Sequence, residues 1–240
     1  MTSGATPPVV SSIVGDLLPL VRLLQLASPA LPIGTYSYSQ GLEWMIDCGA
    51  IRDAAAAQRW IGDALEQVIA DGEAPVLARL LDACERDDHG DFAYWNAWHV
   101  VSRETRELRS ETEQMGASLA KLAADIGILD GAGKALAAAV EPIGLPTAFA
   151  LACRALRIPV DAALAGYTMS WLENQVLVAI KALPLGQVAG QKMLLVLSAR
   201  IPALVVRAKT IGDDDIVSFA PGVALASARH EAQYSRLFRS

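Results

Sequence analysis

The chain has 240 residues, of which 53% are hydrophobic and 19% charged, and its formal net charge is −6. This negative charge argues against a general nucleic-acid binder, because binding to phosphates requires clustered Lys and Arg. Cys48, Cys84 and Cys153 form neither a C-x-x-C pair nor a disulfide framework, which favours a reducing compartment. No signal peptide is evident, and the most apolar window, 193–206, contains an arginine and a proline. We therefore expect a soluble, cytoplasmic protein that does not span a membrane.

Apolar residues recur at helical spacing along most of the chain, and no stretch shows the two-residue alternation of a strand. Glycines and prolines divide this pattern into separate helices. The predicted fold is all-α, a single-domain bundle of roughly ten helices at 16–212, between a flexible N-terminal tail at 1–15 and a C-terminal arm at 213–240. One predicted helix is capped by Asp53 and broken at Gly72 and Pro75. The other predicted helices are 17–27, 40–48, 76–85, 92–109, 111–125, 134–140, 147–156, 161–183 and 186–209.

Local patterns predict three further features of these helices. Ser110 followed by Glu113 matches a capping box, so a new helix is expected to begin there. Arg103 and Glu107 have the i, i+4 spacing of a surface ion pair. Pro202 predicts a bend in the last long helix, because an interior proline removes one backbone hydrogen bond.

The connection at 29–43, PALPIGTYSYSQGLE, has an unusual composition. Its prolines favour a stiff, extended backbone, while Gly34 and Gly41 permit positive φ. Ser37 or Ser39 is a candidate cap for the helix that follows. Two interpretations remain open. The segment is either a tight connector between helices or a rigid loop that presents tyrosines to a partner, since Tyr combines a large apolar area with a polar tip.

This stretch resembles the N-terminal signature of the UreF family of urease accessory proteins, P-x-G-x-[YF]-[ST]-x-S-x-G-L-E. A second segment, HEAQYSRLFRS at 230–240, also resembles the family. Arginines mixed with apolar anchors in this segment are typical of interface hot spots, although a helix docking on its own core is an equal alternative. Further similar positions are Gly116, Glu173, Asn174 and the run P-L-G-Q-x-x-G-Q-K at 184–192.

The resemblance implies an all-helical, dimeric, non-enzymatic scaffold that acts in nickel insertion into urease. Such a scaffold binds UreD, also called UreH, and with it recruits the GTPase UreG to urease apoprotein. It needs no cofactor, because nickel and GTP are handled by the partners; regulation of GTP hydrolysis is a further hypothesis. Tyr36 and Arg236 are expected to meet and to lock loop and tail together. The expected partner-binding residues are Tyr36, Ser37, Ser39, Gly41, Glu43, Glu107, Arg109, Lys181, Gln187, Gln191, Lys192, Tyr234, Arg236 and Leu237.

The sequence offers no constellation for catalysis. The chain's three histidines form no zinc motif, and GAGK at 131–134 lacks the first glycine and the Ser or Thr of a phosphate-binding loop. Ser118 and Lys121 match S-x-x-K without its companion motifs, and the acidic triplet 213–215 has no second cluster opposite it. A helical metal-dependent hydrolase built on these residues is the alternative to the scaffold.

Overall fold

A computed structural model describes residues 8–239 of the chain, with side chains from Leu17 onward. The described residues form helices and turns and no strand, which confirms the all-α prediction. The predicted tail is described only from Pro8, where the first helix begins, and residues 1–7 lie outside the described part. The helices are α1 (Pro8–Leu26), α2 (Leu42–Asp47), α3 (Ala54–Ala64), α4 (Ala74–Arg86), α5 (His89–Val101), α6 (Arg106–Asp125), α7 (Gly131–Ala138), α8 (Leu145–Ala155), α9 (Val160–Ala182), α10 (Gln187–Ser198), α11 (Ile201–Thr210) and α12 (Pro221–His230).

Helix α9 lies at the centre of the bundle. It contacts α1, α2, α3, α4, α10 and α11, so apolar side chains are needed around most of its circumference. Leu164, Leu172, Val176 and Ala179 are buried on it. On the other side of the molecule, α4 packs against α5 and α8, and α8 packs against α6. The loop at 29–43 runs beside α9 and leads into α2.

The break predicted at Gly72 and Pro75 is wrong, because a π-helix at Leu65–Glu73 joins α3 to α4. Pro75 lies in the first turn of α4, where a missing N–H costs little. Gly72 has a packing role: a Cβ there would come within 3.0 Å of the Val217 carbonyl oxygen. The Val217 amide also donates to the Asp71 carbonyl at 2.9 Å, which fixes the chain leading to α12.

The helix boundary predicted at Ser110 is also wrong. Helix α5 ends at Val101, and α6 begins at Arg106 with Thr105 as its cap, whose hydroxyl accepts from the Leu108 amide at 3.1 Å. The expected local pair between Arg103 and Glu107 therefore does not form, because the two residues lie on opposite sides of this break.

Arg103 instead takes part in a buried ion pair beneath the loop. It donates to Glu73 at 2.5 Å, and Tyr167 donates to the other oxygen of the same carboxylate at 2.7 Å. Burial, followed by the charge of Glu73, raises the pKa of Tyr167 well above its ordinary value. A carboxylate on the π-helix thus joins α9 to the start of the α5–α6 connection.

The helix predicted at 186–209 is two helices, α10 and α11, rather than one bent helix. Pro202 occupies the first turn of α11, where it cannot donate a bond back to the preceding turn. By length and composition alone, 187–210 is apolar enough to cross a membrane, and a third of its most apolar window is buried. One such segment is weak evidence for a membrane span, because length and composition alone do not distinguish a span from other apolar helices.

A substitution at Gly116 on α6 tests the packing of this helix against the segment before α8. A Cβ at Gly116 would lie 2.2 Å from the Ile143 carbonyl oxygen, whereas one at Gly131, the first residue of α7, meets nothing within 4 Å. We expect Gly116→Ala to lower the free energy of unfolding by about 1–3 kcal/mol, because backbone has to move. Gly131→Ala is expected to leave it unchanged or raise it by roughly 0.4–1 kcal/mol. Urea unfolding of both variants checks this, and equal stabilities would contradict the packing.

Candidate partner-binding site

The two segments singled out in the sequence lie together in the fold. Helix α12 packs against α2, the short helix that follows the loop, and also contacts α6. Four side chains from these elements and the tail form a connected set, which we call the carboxylate cluster. Its members are Glu43 on α2, Glu107 on α6, His230 at the end of α12 and Arg236 in the segment after α12 (231–239), which we call the tail.

Gly41 allows α12 to approach α2. Its φ is +81°, and a Cβ there would lie 2.7 Å from both the Cβ of Ala226 and the amide nitrogen of Ser227. Gly41 is also the residue that precedes α2, and no side chain caps that helix. The prediction that Ser37 or Ser39 occupies the cap position is therefore wrong, because Gly41 occupies it.

Glu43 holds the tail against α2. One carboxylate oxygen accepts from the Leu237 amide at 2.6 Å, and the other accepts from the Phe238 amide at 3.1 Å. The second oxygen also faces His230 Nε2 at 3.0 Å. The side chain is buried, so these donors replace the water that would otherwise solvate its charge.

Glu107 joins the same tail to α6. Its Oε2 lies 2.9 Å from His230 Nδ1, and its Oε1 accepts from Arg236 at 2.7 Å. Its backbone amide donates to Glu231 Oε1 at 3.3 Å. Arg236 and Glu107 were both predicted as site residues, and the structure brings them into direct contact.

The loop is fixed from both sides. The Ser37 carbonyl accepts from the Arg239 amide at 2.6 Å, and Asn174 on α9 donates to the Tyr38 carbonyl at 2.9 Å. The Tyr38 hydroxyl donates to Gln114 at 2.9 Å. Burial, then the charge of Glu111, raises the pKa of Tyr38, and Arg239 acts in the opposite direction.

The predicted contact between Tyr36 and Arg236 is wrong. The guanidinium that acts on the pKa of a loop tyrosine is that of Arg239, and the tyrosine is Tyr38. Tyr36 lies instead beside Lys181, whose Nζ is 5.9 Å from the Tyr36 ring centroid and 5.7 Å from that of Phe238. Burial, then the charge of Glu173, raises the pKa of Tyr36. Lys181 thus links loop and tail through two aromatic rings.

The remaining predicted residues differ in position. Tyr234 and Leu237 have exposed side chains on the tail, and Ser39 is buried within the loop. Arg109 donates to the Arg103 carbonyl at 3.4 Å, on the α5–α6 connection. Three exposed residues on α10 form no hydrogen bond or ion pair with the carboxylate cluster within the described residues. They are Gln187, Gln191 and Lys192.

Four residues that complete this arrangement were not predicted from the sequence. His230 was considered only as a metal ligand or tail residue, although it is fully buried between two carboxylates. Tyr38 donates to Gln114, and the Arg239 amide donates to the Ser37 carbonyl. Phe238 is buried between exposed Leu237 and exposed Arg239, and no local pattern in the sequence indicated this.

The side chains considered for catalysis or phosphate binding form hydrogen bonds and ion pairs with nearby residues of the chain. Ser118 donates to the Gln114 carbonyl, and Lys121 pairs with Asp125. Across the described part of the chain, no group of three His, Cys, Asp or Glu side chains could hold a metal ion. At GAGK, the side chain of Asp130 accepts from the Gly133 amide, which places a negative charge where a phosphate would bind.

We expect Glu43→Ala to release the tail from α2. Loss of the carboxylate leaves two tail amides and His230 without their acceptor, so trypsin should cleave after Arg236 at least about tenfold faster, which corresponds to the loss of one charge-assisted bond. Asp125→Asn is the control, because it removes only an exposed ion pair on α6. Timed proteolysis followed by mass spectrometry measures both variants. Equal cleavage rates would contradict this role of Glu43.

Comparison with known proteins identifies the family. The family model described as UreF matches residues 51–198. A urease accessory protein UreF from Azoarcus sp. (strain BH72) is 53% identical over 94% of this chain and 97% of its own length. One from Cupriavidus metallidurans is 53% identical over 92% of this chain and 97% of its own. A bifunctional urease accessory protein UreEF from Bordetella bronchiseptica is 48% identical over 100% of this chain and 55% of its own. The chain therefore belongs to the UreF family of urease accessory proteins.

Proposed function

We propose that this chain is a non-enzymatic scaffold in urease maturation. In this role it binds UreD (UreH) and, together with it, recruits the GTPase UreG to urease apoprotein for nickel insertion. The observation that carries the proposal is the joining of loop and tail through Glu43, which turns two distant segments into one surface. Membership of an accessory-protein family supports the same role.

This surface has the composition of a docking site. Tyr234, Leu237, Leu225 and Phe219 are large apolar side chains that remain exposed on α12 and its flanking segments. Large apolar and aromatic anchors beside an arginine are enriched among interface hot spots. Because the backbone beneath the tail anchors is hydrogen-bonded to α2, a partner would not have to order it on binding.

Further parts of the proposal extend the family role to this chain. Nickel and GTP are handled by the partners, the protein works in the cytoplasm as a homodimer, and its contact with UreG regulates GTP hydrolysis. The polar residues of α10 (Gln187, Gln191 and Lys192) are exposed and available to a second partner. The alternative of a metal-dependent hydrolase has no observation in its favour, because Ser118 and Lys121 are each engaged with a residue of their own helix.

The tail anchors test the proposal. We expect Arg236→Ala, and separately the pair Tyr234→Ala with Leu237→Ala, to abolish co-purification of UreD while helicity is retained. Hot-spot losses of at least about 2 kcal/mol weaken binding by roughly thirtyfold or more. Val101→Ala is the control, because Val101 is an equally exposed apolar residue on α5. Affinity capture with UreD and UreG, with circular dichroism of each variant, measures this. Full capture by both tail variants would refute the docking role.

A further inference from the structure

His230 is a buried histidine between two carboxylates. Its side chain is fully buried, Nε2 lies 3.0 Å from Glu43 Oε2, and Nδ1 lies 2.9 Å from Glu107 Oε2. The other oxygens of both carboxylates are occupied, Glu43 Oε1 by the Leu237 amide and Glu107 Oε1 by Arg236. The ring therefore forms the connection between α2, α6 and the tail.

The contacts of the two ring nitrogens determine how many protons the cluster has to hold. An ionised carboxylate only accepts hydrogen bonds, so each ring nitrogen has to donate. A neutral imidazole carries one N–H, and its other nitrogen would present a lone pair to a carboxylate oxygen. Both contacts are satisfied only when the group of His230, Glu43 and Glu107 holds one additional proton, which makes the ring an imidazolium or one of the carboxyls neutral.

The charges around the ring lead to the same conclusion. Glu43 faces it from α2 and Glu107 from α6, while Arg236 on the tail pairs with Glu107. Glu231, the next residue, is partly exposed and directs its carboxylate to the Glu107 amide. The two carboxylates, the ring and the partly exposed Arg236 sum to zero with the additional proton and to −1 without it. An uncompensated buried charge is strongly destabilising.

We propose that the proton held between His230 and its two carboxylates is the positioning element of the C-terminal tail, so that raising the pH frees Leu237 and Phe238 from Glu43. This inference rests on the proposed function only in assigning the tail to partner binding. When the proton leaves, the two carboxylates face a ring that can donate to one of them. Loss of the proton therefore also releases the tail amides that are bonded to Glu43. Tyr234 and Leu237 then lose their fixed position.

Hydrogen–deuterium exchange of the full chain tests this without any partner. The amides of Leu237 and Phe238 are followed at about pH 6 and about pH 8.5, in samples that differ only in proton concentration. After correction for intrinsic rates, we expect their protection to fall at least about tenfold at the higher pH, as for one charge-assisted hydrogen bond lost. Protection that is equal at the two pH values overturns the proposal.

Glu107→Gln separates a proton-dependent role from a merely structural one. The amide of Gln donates to His230 Nδ1 and its carbonyl accepts from Arg236, so a neutral ring satisfies the whole site. We expect this variant to keep the tail protected at both pH values. His230→Gln cannot donate from two separate atoms and is expected to lose protection at both. A wild-type pH dependence in either variant contradicts the proposal.

A second measurement does not depend on the variants folding. The ring ¹⁵N resonances of His230 in the wild-type chain are expected to show both nitrogens protonated, or a carboxyl-shared proton, at about pH 6 and to change together with the tail amides. A neutral ring between two ionised carboxylates at that pH, with a docked tail, overturns the inference and leaves the proposed function in place. A chain that passes both tests and still fails to capture UreD overturns the proposed function alone.

Discussion

The burial of the Glu43 carboxylate is the constraint on which the rest of the site depends. A buried charge is tolerated only when donors replace its lost hydration, and here the donors come from His230, 187 residues further along the chain, and from the tail amides. Helix α2 has six residues, too few to be stable alone. It is held in place by α9 beneath it and by α12, which Gly41 admits to within van der Waals distance.

This constraint explains how the surface formed by loop and tail is organised. Replacing buried ions with apolar groups often preserves stability, so ions are retained where they specify one arrangement. In this protein the cluster specifies where the tail lies, and it leaves the large side chains of Tyr234 and Leu237 directed outward. In the proposed function, a partner would meet a surface whose backbone is already hydrogen-bonded, so that little conformational entropy would be lost on binding.

Sequence periodicity was sufficient to predict the fold class, because helical spacing is a local property. Long-range pairing was not accessible in the same way. Arg103 was assigned to Glu107 by the i, i+4 rule, yet Thr105 begins a new helix between them and Arg103 pairs with Glu73, 30 residues earlier. No local pattern indicates that a carboxylate on the π-helix is the nearest buried acceptor.

The same difference between local and long-range information applies to the site. The resemblance to the UreF family placed both segments in the site, but a motif does not state which side of the backbone each residue occupies. The turn at Thr35–Ser37 directs Tyr36 toward Lys181, while Tyr38 is buried and donates to Gln114. His230 was missed because an isolated histidine in a tail has no partners within local spacing. Its partners became visible only when α2, α6 and α12 were brought together.

The most direct test of the account is a double-mutant cycle between Glu43 and His230, read out as affinity for UreD by calorimetry. Glu43→Gln, His230→Gln and the double variant are compared with the wild-type chain. If the two residues form one platform, the double variant binds no more weakly than the weaker single variant, because the second change removes an interaction already lost. Losses that add independently, or affinities equal to that of the wild-type chain, would show that loop and tail do not act as one surface.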